Sequence, residues 1–391
     1  MANNKDFKVK NGIQSDVYYE SVGNVSLGSG TASLDLSSGS VFELTPTEDV
    51  TVSLTNPAAS GTSNGVTLLL YQQGYGGYDV GNAKYENINF SVASQDTAPM
   101  GLRFKSDGTK MFVLGGTGRD VNEYNLSTAW NVSTASYSQN FVVASQELTP
   151  TDLFFKPDGT KMYIIGQHGK EVNEYNLSTA WDVSTASHVQ LFSVSSQETA
   201  PTGLFFKTDG TKMFVIGITG DDLNEYALST AWDISTASFT TVKIIKGNLG
   251  GGVTNYQDIN PQSLAFNSDG TKVFVLGADG LDVAYYILTT AWSVSTIFLS
   301  TTFTLTASEV SVRGLAFSND GSKMYIIDID DDTIRQYKTT IPATITYNSA
   351  IQWANGAAPT SPDIGDTDVI TFNTTDGGTK YKSVLAIDGA K

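Results

Sequence analysis

No cysteine occurs among the 391 residues, and histidine occurs only at His168 and His188. Disulfides and thiol chemistry are therefore excluded, and neither a Cys/His metal set nor a nucleophile triad can be assembled. Positive charge is also scarce: 23 Lys and Arg stand against 40 Asp and Glu, for a net charge of -17. Nucleic-acid binding needs clustered cations to displace counterions, so that class is set aside, and an anionic membrane surface is disfavoured as a partner. No apolar run approaches a membrane span, so no membrane insertion is expected. The opening residues Met1 to Lys8 lack the apolar stretch of a signal peptide, which leads us to expect folding in the cytosol where the chain is made. Helix-forming runs of Ala, Leu, Glu and Lys are missing, whereas Thr, Ser, Val, Tyr and Phe dominate; the class expected is all-β.

What is present is a repeated phrase: S-D-G-T-K-M-F-V, then N-E-Y, then L-S-T-A-W followed by V-S-T-A-S. Its Asp-Gly turns begin at Asp107, Asp158, Asp209, Asp269 and Asp320, giving steps of 51, 51, 60 and 51, and Tyr124, Tyr175, Tyr226, Tyr286 and Tyr337 keep the same steps. Each copy contains four short strand signals. In the third they are Gly203-Leu204-Phe205-Phe206, Lys212 to Gly217, Leu223 to Leu228, and Phe239 to Lys243, with a hairpin turn at Asp209-Gly210. Four antiparallel strands per fifty residues make a propeller blade.

The ends of the repeat region predict how the ring closes. Tyr85 to Gln95 matches Tyr137 to Gln146 and is a fourth strand without the first three. The last copy, Gly314 to Tyr337, has three strands and then breaks off. Each fragment completes the other, so the expectation is an all-β, five-bladed β-propeller with a shared closing blade. The ring is expected to span residues 78–341. It would be inserted into a small β-sandwich-like domain formed by both termini, residues 31–77 plus 342–391, with residues 1–30 as a separate N-terminal segment.

The flanks carry a resemblance. They read D-L-S-S-G-S-V-F-E-L-T from Asp35, N-P-A-A-S-G-T from Asn56, I-Q-W-A-N-G-A-A-P from Ile351 and D-V-I-T-F-N-T-T-D-G-G from Asp368. Joined across the gap, they resemble a small β-domain of bacteriophage tail fibre and other virion appendage proteins. The opening K-D-F-K-V-K-N-G from Lys5 resembles the start of virion proteins from marine phages, which implies that residues 1–30 are an N-terminal virion-attachment segment. The propeller repeat is similar to repeats in phage and bacterial surface proteins. These resemblances cover nearly the whole chain and imply a non-enzymatic virion protein, made in the bacterial cytoplasm and placed on the tail or another surface appendage. The implied partners are other virion proteins and a host cell-surface polysaccharide or outer-membrane receptor. The implied assembly is a homo-oligomer, with tail fibres suggesting a trimer. The leading expectation is a tail fibre or receptor-binding protein; a capsid head decoration or head fibre protein is the alternative, and a glycan-cleaving depolymerase a third.

Loops on the two ends of such a ring differ. The Asp-Gly turns and the S-T-A-W connections are nearly uniform, and the flanks are expected to join the ring on that face. The loops between second and third strands diverge: G-G-T-G-R-D from Gly115, G-Q-H-G-K-E from Gly166, G-I-T-G-D-D from Gly217, G-A-D-G-L-D from Gly277 and D-I-D-D-D from Asp328. The longer step adds its residues within Gly247 to Asp258. Candidate ligand-binding residues on this face are Arg119, Asp120, His168, Lys170, Asp221, Asp222, Asp279, Asp282, Asn248 and Tyr256, set against neutral drift of an idle surface. Trp130, Trp181, Trp232 and Trp292 read as packing plugs rather than sugar platforms. No cofactor is expected. Asp328, Asp330 and Asp332 are a candidate calcium site, although the acidic run lacks a calcium-loop frame and reads more simply as a solvated turn. Among the residues that begin the channel-lining strands only Asp152 is acidic, one carboxylate short of a glycosidase pair.

Overall fold

The computed structural model describes residues 22–28, 30–72, 76–245, 260–305, 311–354, 356–362 and 366–390. The chain divides into two compact units: residues 76–341, and residues 1–75 together with 342–391.

The first unit is the five-bladed propeller. Each of its blades is a four-stranded antiparallel sheet. Blade one runs Pro99–Phe104, Lys110–Gly115, Asp120–Leu126 and Ala135–Val142. Blade two runs Pro150–Phe155, Lys161–Gly166, Glu171–Leu177 and Ala186–Ser193. Blade three follows with Pro201–Phe206, Lys212–Gly217, Asp222–Leu228 and Ala237–Ile244. Blade four has Pro261–Phe266, Lys272–Gly277, Asp282–Leu288 and Ile297–Thr304. Blade five takes Val312–Phe317, Lys323–Asp328 and Thr333–Lys338 from late in the chain and Lys84–Ser91 from early in it. Thr333 pairs with Ser91 and Tyr337 with Tyr85, so the ring closes by strand exchange between its two ends.

The repeated phrase explains each local turn. In blade two, Asp158 Oδ1 accepts from the Thr160 amide at 3.0 Å and its hydroxyl at 2.6 Å, while Gly159 takes a φ of +74°. Trp181 then lays its indole across Gly159, where a Cβ would collide with the ring, and its amide donates to the Gly159 carbonyl at 3.0 Å. Trp130, Trp232 and Trp292 do the same over Gly108, Gly210 and Gly270. The tryptophans are thus wedges between the Asp-Gly turn and the third-to-fourth connection. In blade five Tyr78 takes that place over Gly321, its amide 2.7 Å from the Gly321 carbonyl. Tyrosine therefore fills the tryptophan's position in the shared blade, although no L-S-T-A-W connection joins its third and fourth strands, which come from opposite ends of the ring.

Blades are stitched by the glutamate of N-E-Y. Glu174 is buried, receives Lys161 of its own blade, and reaches the Ile234 amide of the next. Glu123 does the same with Lys110 and the Val183 amide, and Glu225 with Lys212 at 2.6 Å and the Val294 amide at 3.0 Å. Blade five uses Gln336, whose side-chain oxygen accepts from the Val132 amide, and moves the carboxylate to Glu86, 2.9 Å from Lys323. Blade four departs: Tyr285 stands there, with Lys272 5.3 Å above its ring.

The second unit is a β-sandwich. One sheet orders Val25–Gly28, Thr31–Asp35, Val50–Thr55 and Ile345–Tyr347. The other orders Ile351–Trp353, Tyr381–Ala390, Thr367–Thr374, Asn64–Tyr71 and Val41–Leu44. Both sheets contain segments from both ends of the chain and share one core of Leu34, Phe42, Val52, Leu68, Ile370 and Phe372. Buried Gln72 donates to the Ala343 carbonyl at 2.7 Å and accepts from its amide at 3.2 Å, tying the outgoing and returning segments together. Val25–Gly28 falls in the stretch expected to be an attachment segment, yet it is the edge strand of the first sheet. Its pairing with Thr31–Asp35 across a turn at Gly30 explains the difference.

Candidate functional site

The first strand of every blade lines the ring axis, running from the divergent face to the Asp-Gly face. Midway along it stand Gly101, Asp152, Gly203, Ser263 and Gly314, small except for the acid. Asp152 is buried and ion-paired with Arg103 at 3.0 Å. Burial raises its pKa, while Arg103 and the amides of Leu204 and Leu153 pull it back. Arg103 also donates to the carbonyls of Leu102, Leu315 and Leu204, at 2.7, 3.1 and 2.9 Å, and lies 5.7 Å over the Phe154 ring. One guanidinium thus binds blades one, two, three and five across the axis. Sequence reasoning passed over it, although a signal existed: in the aligned repeats Arg103 takes the place of Phe154, Phe205, Ala265 and Ala316.

On the divergent face the second-to-third loops share one backbone. Arg119, Lys170, Asp221, Leu281 and Asp332 all occupy equivalent positions with φ between 44° and 53°. The carbonyl of each accepts from the amide that begins the exit of the fourth strand, at Val143, Val194, Ile245, Leu305 and Val92. Beneath the loops lie buried acids that sequence reasoning also missed. Asp96 receives the amides of Ala98, Thr117 and Gly118; Glu147 receives those of Thr149, His168 and Gly169. Glu198 receives Ala200. Gly115, Gly166 and Gly217 have no room for a Cβ because these carboxylates lie against them.

The ten candidate ligand residues separate accordingly. Arg119, His168 and Asp279 are exposed at loop tips, and Lys170 is half-buried beside them. Asp120 is not on the surface: it is 6% exposed, under Gly118, and its two oxygens accept from Asn122 and Asn140 at 2.8 and 2.6 Å. Asp221 is likewise 6% exposed. Asp222 and Asp282 are half-buried, both pushed up by burial, and Asp222 accepts from Asn224 at 2.6 Å. Asp120 and Asp222 belong to the loop framework because their carboxylates satisfy asparagine side-chain donors. Asn248 and Tyr256 lie outside the described residues.

In the acidic turn of blade five, Asp328 is buried, lies 3.6 Å from Arg335, and accepts from the Asp330 amide at 2.9 Å. Asp331 pairs with Arg335 at 2.5 Å. Asp332 is pushed up by burial and by Asp96, Asp331 and Asp330. Among the described residues no group of three or more His, Asp or Glu side chains converges as a metal cage.

The axis ends in two hollows. At the Asp-Gly face a funnel of about 210 Å³ is walled by Trp130, Trp181, Trp292, Phe154 and Phe205 over Arg103. At the divergent face a cavity of about 280 Å³ is lined by Met100, Thr151, Thr202, Gln262 and Arg313, with Gln167, Ile218 and Asn260 above them. The first five are equivalent positions, one per blade.

No family model matches the chain, and no curated protein matches it. Solved structures give distant likenesses. A Bacteroides fragilis protein proposed as a 6-phosphogluconolactonase is 13% identical, with 52% of each chain covered and a TM-score of 0.35, so the chain spans about half the length of that relative. A Desulfotomaculum acetoxidans protein of unknown function is 11% identical, with 73% of this chain and 68% of that one covered and a TM-score of 0.37. The β-propeller domain of Myceliophteria thermophila Cps50 (Swd1) is 10% identical, with 66% of this chain and all of that one covered and a TM-score of 0.39. At these values the likenesses decide nothing about activity.

Proposed function

We propose that the chain is a non-enzymatic phage virion protein whose propeller contacts a host-surface glycan through the divergent face. The observation that carries this reading is the conserved left-handed loop position filled by Arg119, Lys170, Asp221, Leu281 and Asp332. A left-handed backbone costs a branched or long side chain roughly 1 kcal/mol that glycine would avoid. Four residue types occupy the five positions, and with Asp221 buried the other four, Arg119, Lys170, Leu281 and Asp332, give the face variable chemistry on one framework. The flank resemblance supports the virion assignment, with other virion proteins as neighbours and a trimer as the assembly. The commitment of Asp152 to Arg103 supports the non-enzymatic part, because glycoside hydrolysis needs two carboxylates flanking the bond.

Cryo-electron microscopy of intact particles tests the proposal, with the five-bladed ring as marker. Density on tail fibres or at the tail tip, together with blocked adsorption when purified protein is added, is the expected result. Density over the capsid lattice would replace receptor binding with the decoration role. Repeated copies would let weak contacts act together, so adsorption is a better readout than monomer affinity.

A further inference from the structure

The divergent-face cavity holds an arginine with little to do for the fold. Arg313 is half-buried, and its guanidinium donates to the carbonyl of its own neighbour Val312 at 2.8 Å. Among the described residues no carboxylate lies within ion-pair distance of it, and Asp328, whose charge it feels, is engaged with Arg335. Burial lowers the pKa of Arg313, and the charge of Asp328 opposes that shift. A partly buried guanidinium with donors left over is better satisfied when an anion fills the cavity it faces. The equivalent positions in the other blades carry Met100, Thr151, Thr202 and Gln262, so the blade architecture itself does not call for arginine.

The walls define the partner further. The Thr151 hydroxyl donates to the Pro201 carbonyl at 3.0 Å and the Thr202 hydroxyl to the Pro261 carbonyl at 2.7 Å. Their protons are spent on the next blade, which leaves the hydroxyl oxygens as acceptors. Gln262 turns its amide nitrogen to Asn260. The cavity therefore pairs one forked cation with several acceptors, and Met100 and Ile218 add small apolar patches. Its volume lies just below the usual range for ligand pockets, roughly 300–1,000 Å³. A single guanidinium matches a carboxylate in two parallel hydrogen bonds. On a chain of net charge -17, a monoanion is tolerated where a phosphate dianion is repelled.

From this arrangement we infer that the divergent mouth binds a carboxylate-bearing sugar, with Arg313 holding the carboxylate and Thr151 and Thr202 accepting from sugar hydroxyls. The inference rests on the divergent-face reading above and supplies its ligand class.

Titration of the full chain with glucuronate and with glucose, followed by NMR or calorimetry, tests it. Glucuronate is expected to bind and glucose not to. Arg313→Met is expected to weaken glucuronate at least tenfold, Arg313→Lys to lose less, and Lys156→Met on the opposite face to change nothing. Unaltered thermal unfolding of Arg313→Lys guards against a folding artefact. Equal response to glucose and glucuronate, or undiminished binding in Arg313→Met, overturns the inference. If adsorption is blocked by the protein while Arg313→Met binds glucuronate as well as the parent, this site is wrong and the receptor reading stands. If glucuronate binds through Arg313 but the protein blocks nothing, the site stands and the receptor reading fails.

Discussion

Individual residues in this ring carry unequal weight, and glycine and arginine show it best. Gly159 needs both its left-handed φ of +74° and the absence of a Cβ under the Trp181 indole. Gly159→Ala should therefore cost more than backbone strain alone, about 2–4 kcal/mol, measured by urea unfolding. Arg103 fills the axis and neutralises Asp152. Arg103→Met leaves that carboxylate buried and unpaired, so a loss of about 3–5 kcal/mol is expected near neutral pH. In the variant the folded pKa of Asp152 is raised further above the unfolded value. Such a group contributes stability below the unfolded value and loses it as pH rises, so the variant should recover toward the parent on acidification. A deficit that grows on acidification would contradict the pairing. Arg103 was legible only as the odd residue in an aligned column. Its four partners come from blades one, two, three and five, and no local pattern reports a contact across the axis.

Elements repeat because each solves the same local problem. Asp107, Asp158 and Asp209 are held down to about 2: burial opposes ionisation, but hydrogen bonds from the lysine two residues before and the threonine two residues after outweigh it. A depressed carboxylate contributes stability above its unfolded value of 3.8 and loses it as pH falls toward 2. Acid unfolding followed by near-UV dichroism should thus begin in that window, and Asp158→Asn should make the decline shallower. The N-E-Y glutamates are the stitches between blades. Glu174→Ala strips the partners of Lys161 and of the Ile234 amide, and should cost about 2–3 kcal/mol. Tyr285→Ala, in the blade that lacks the stitch, removes ring packing and the stacked Lys272 but leaves no amide newly orphaned from a glutamate. The turn, the strands and the tryptophan wedge could be read from spacing. The glutamate's reach into the next blade could not, since the strand period places a side chain on a face without saying what stands opposite. The same limit hid Asp96, Glu147 and Glu198: they look like surface acids in a loop and prove to be the buried floor beneath it.

For the whole molecule, the seam in blade five is the point of control. Lys84–Ser91 is the only early segment in that sheet, and Phe90 packs edge-on against Tyr124 of blade one, with ring centroids 5.5 Å apart. Phe90→Asp should open the ring there, seen as a lowered unfolding temperature and rapid proteolysis of the propeller; an unchanged transition would mean that the exchange of strands is not what holds the ring shut. The sequence by itself determined the blade count, the four strands of each blade, the shared closing strand and the two loop sets, because these depend on period, turn chemistry and the obligation of a β-edge to pair. Tertiary structure alone decided which acids are surface and which are framework, that Arg103 spans the axis, and that Arg313 stands in a polar cavity with no carboxylate at ion-pair distance among the described residues. Those facts concern residues tens or hundreds of positions apart, and charge, burial and reach between them exist only once the ring has closed.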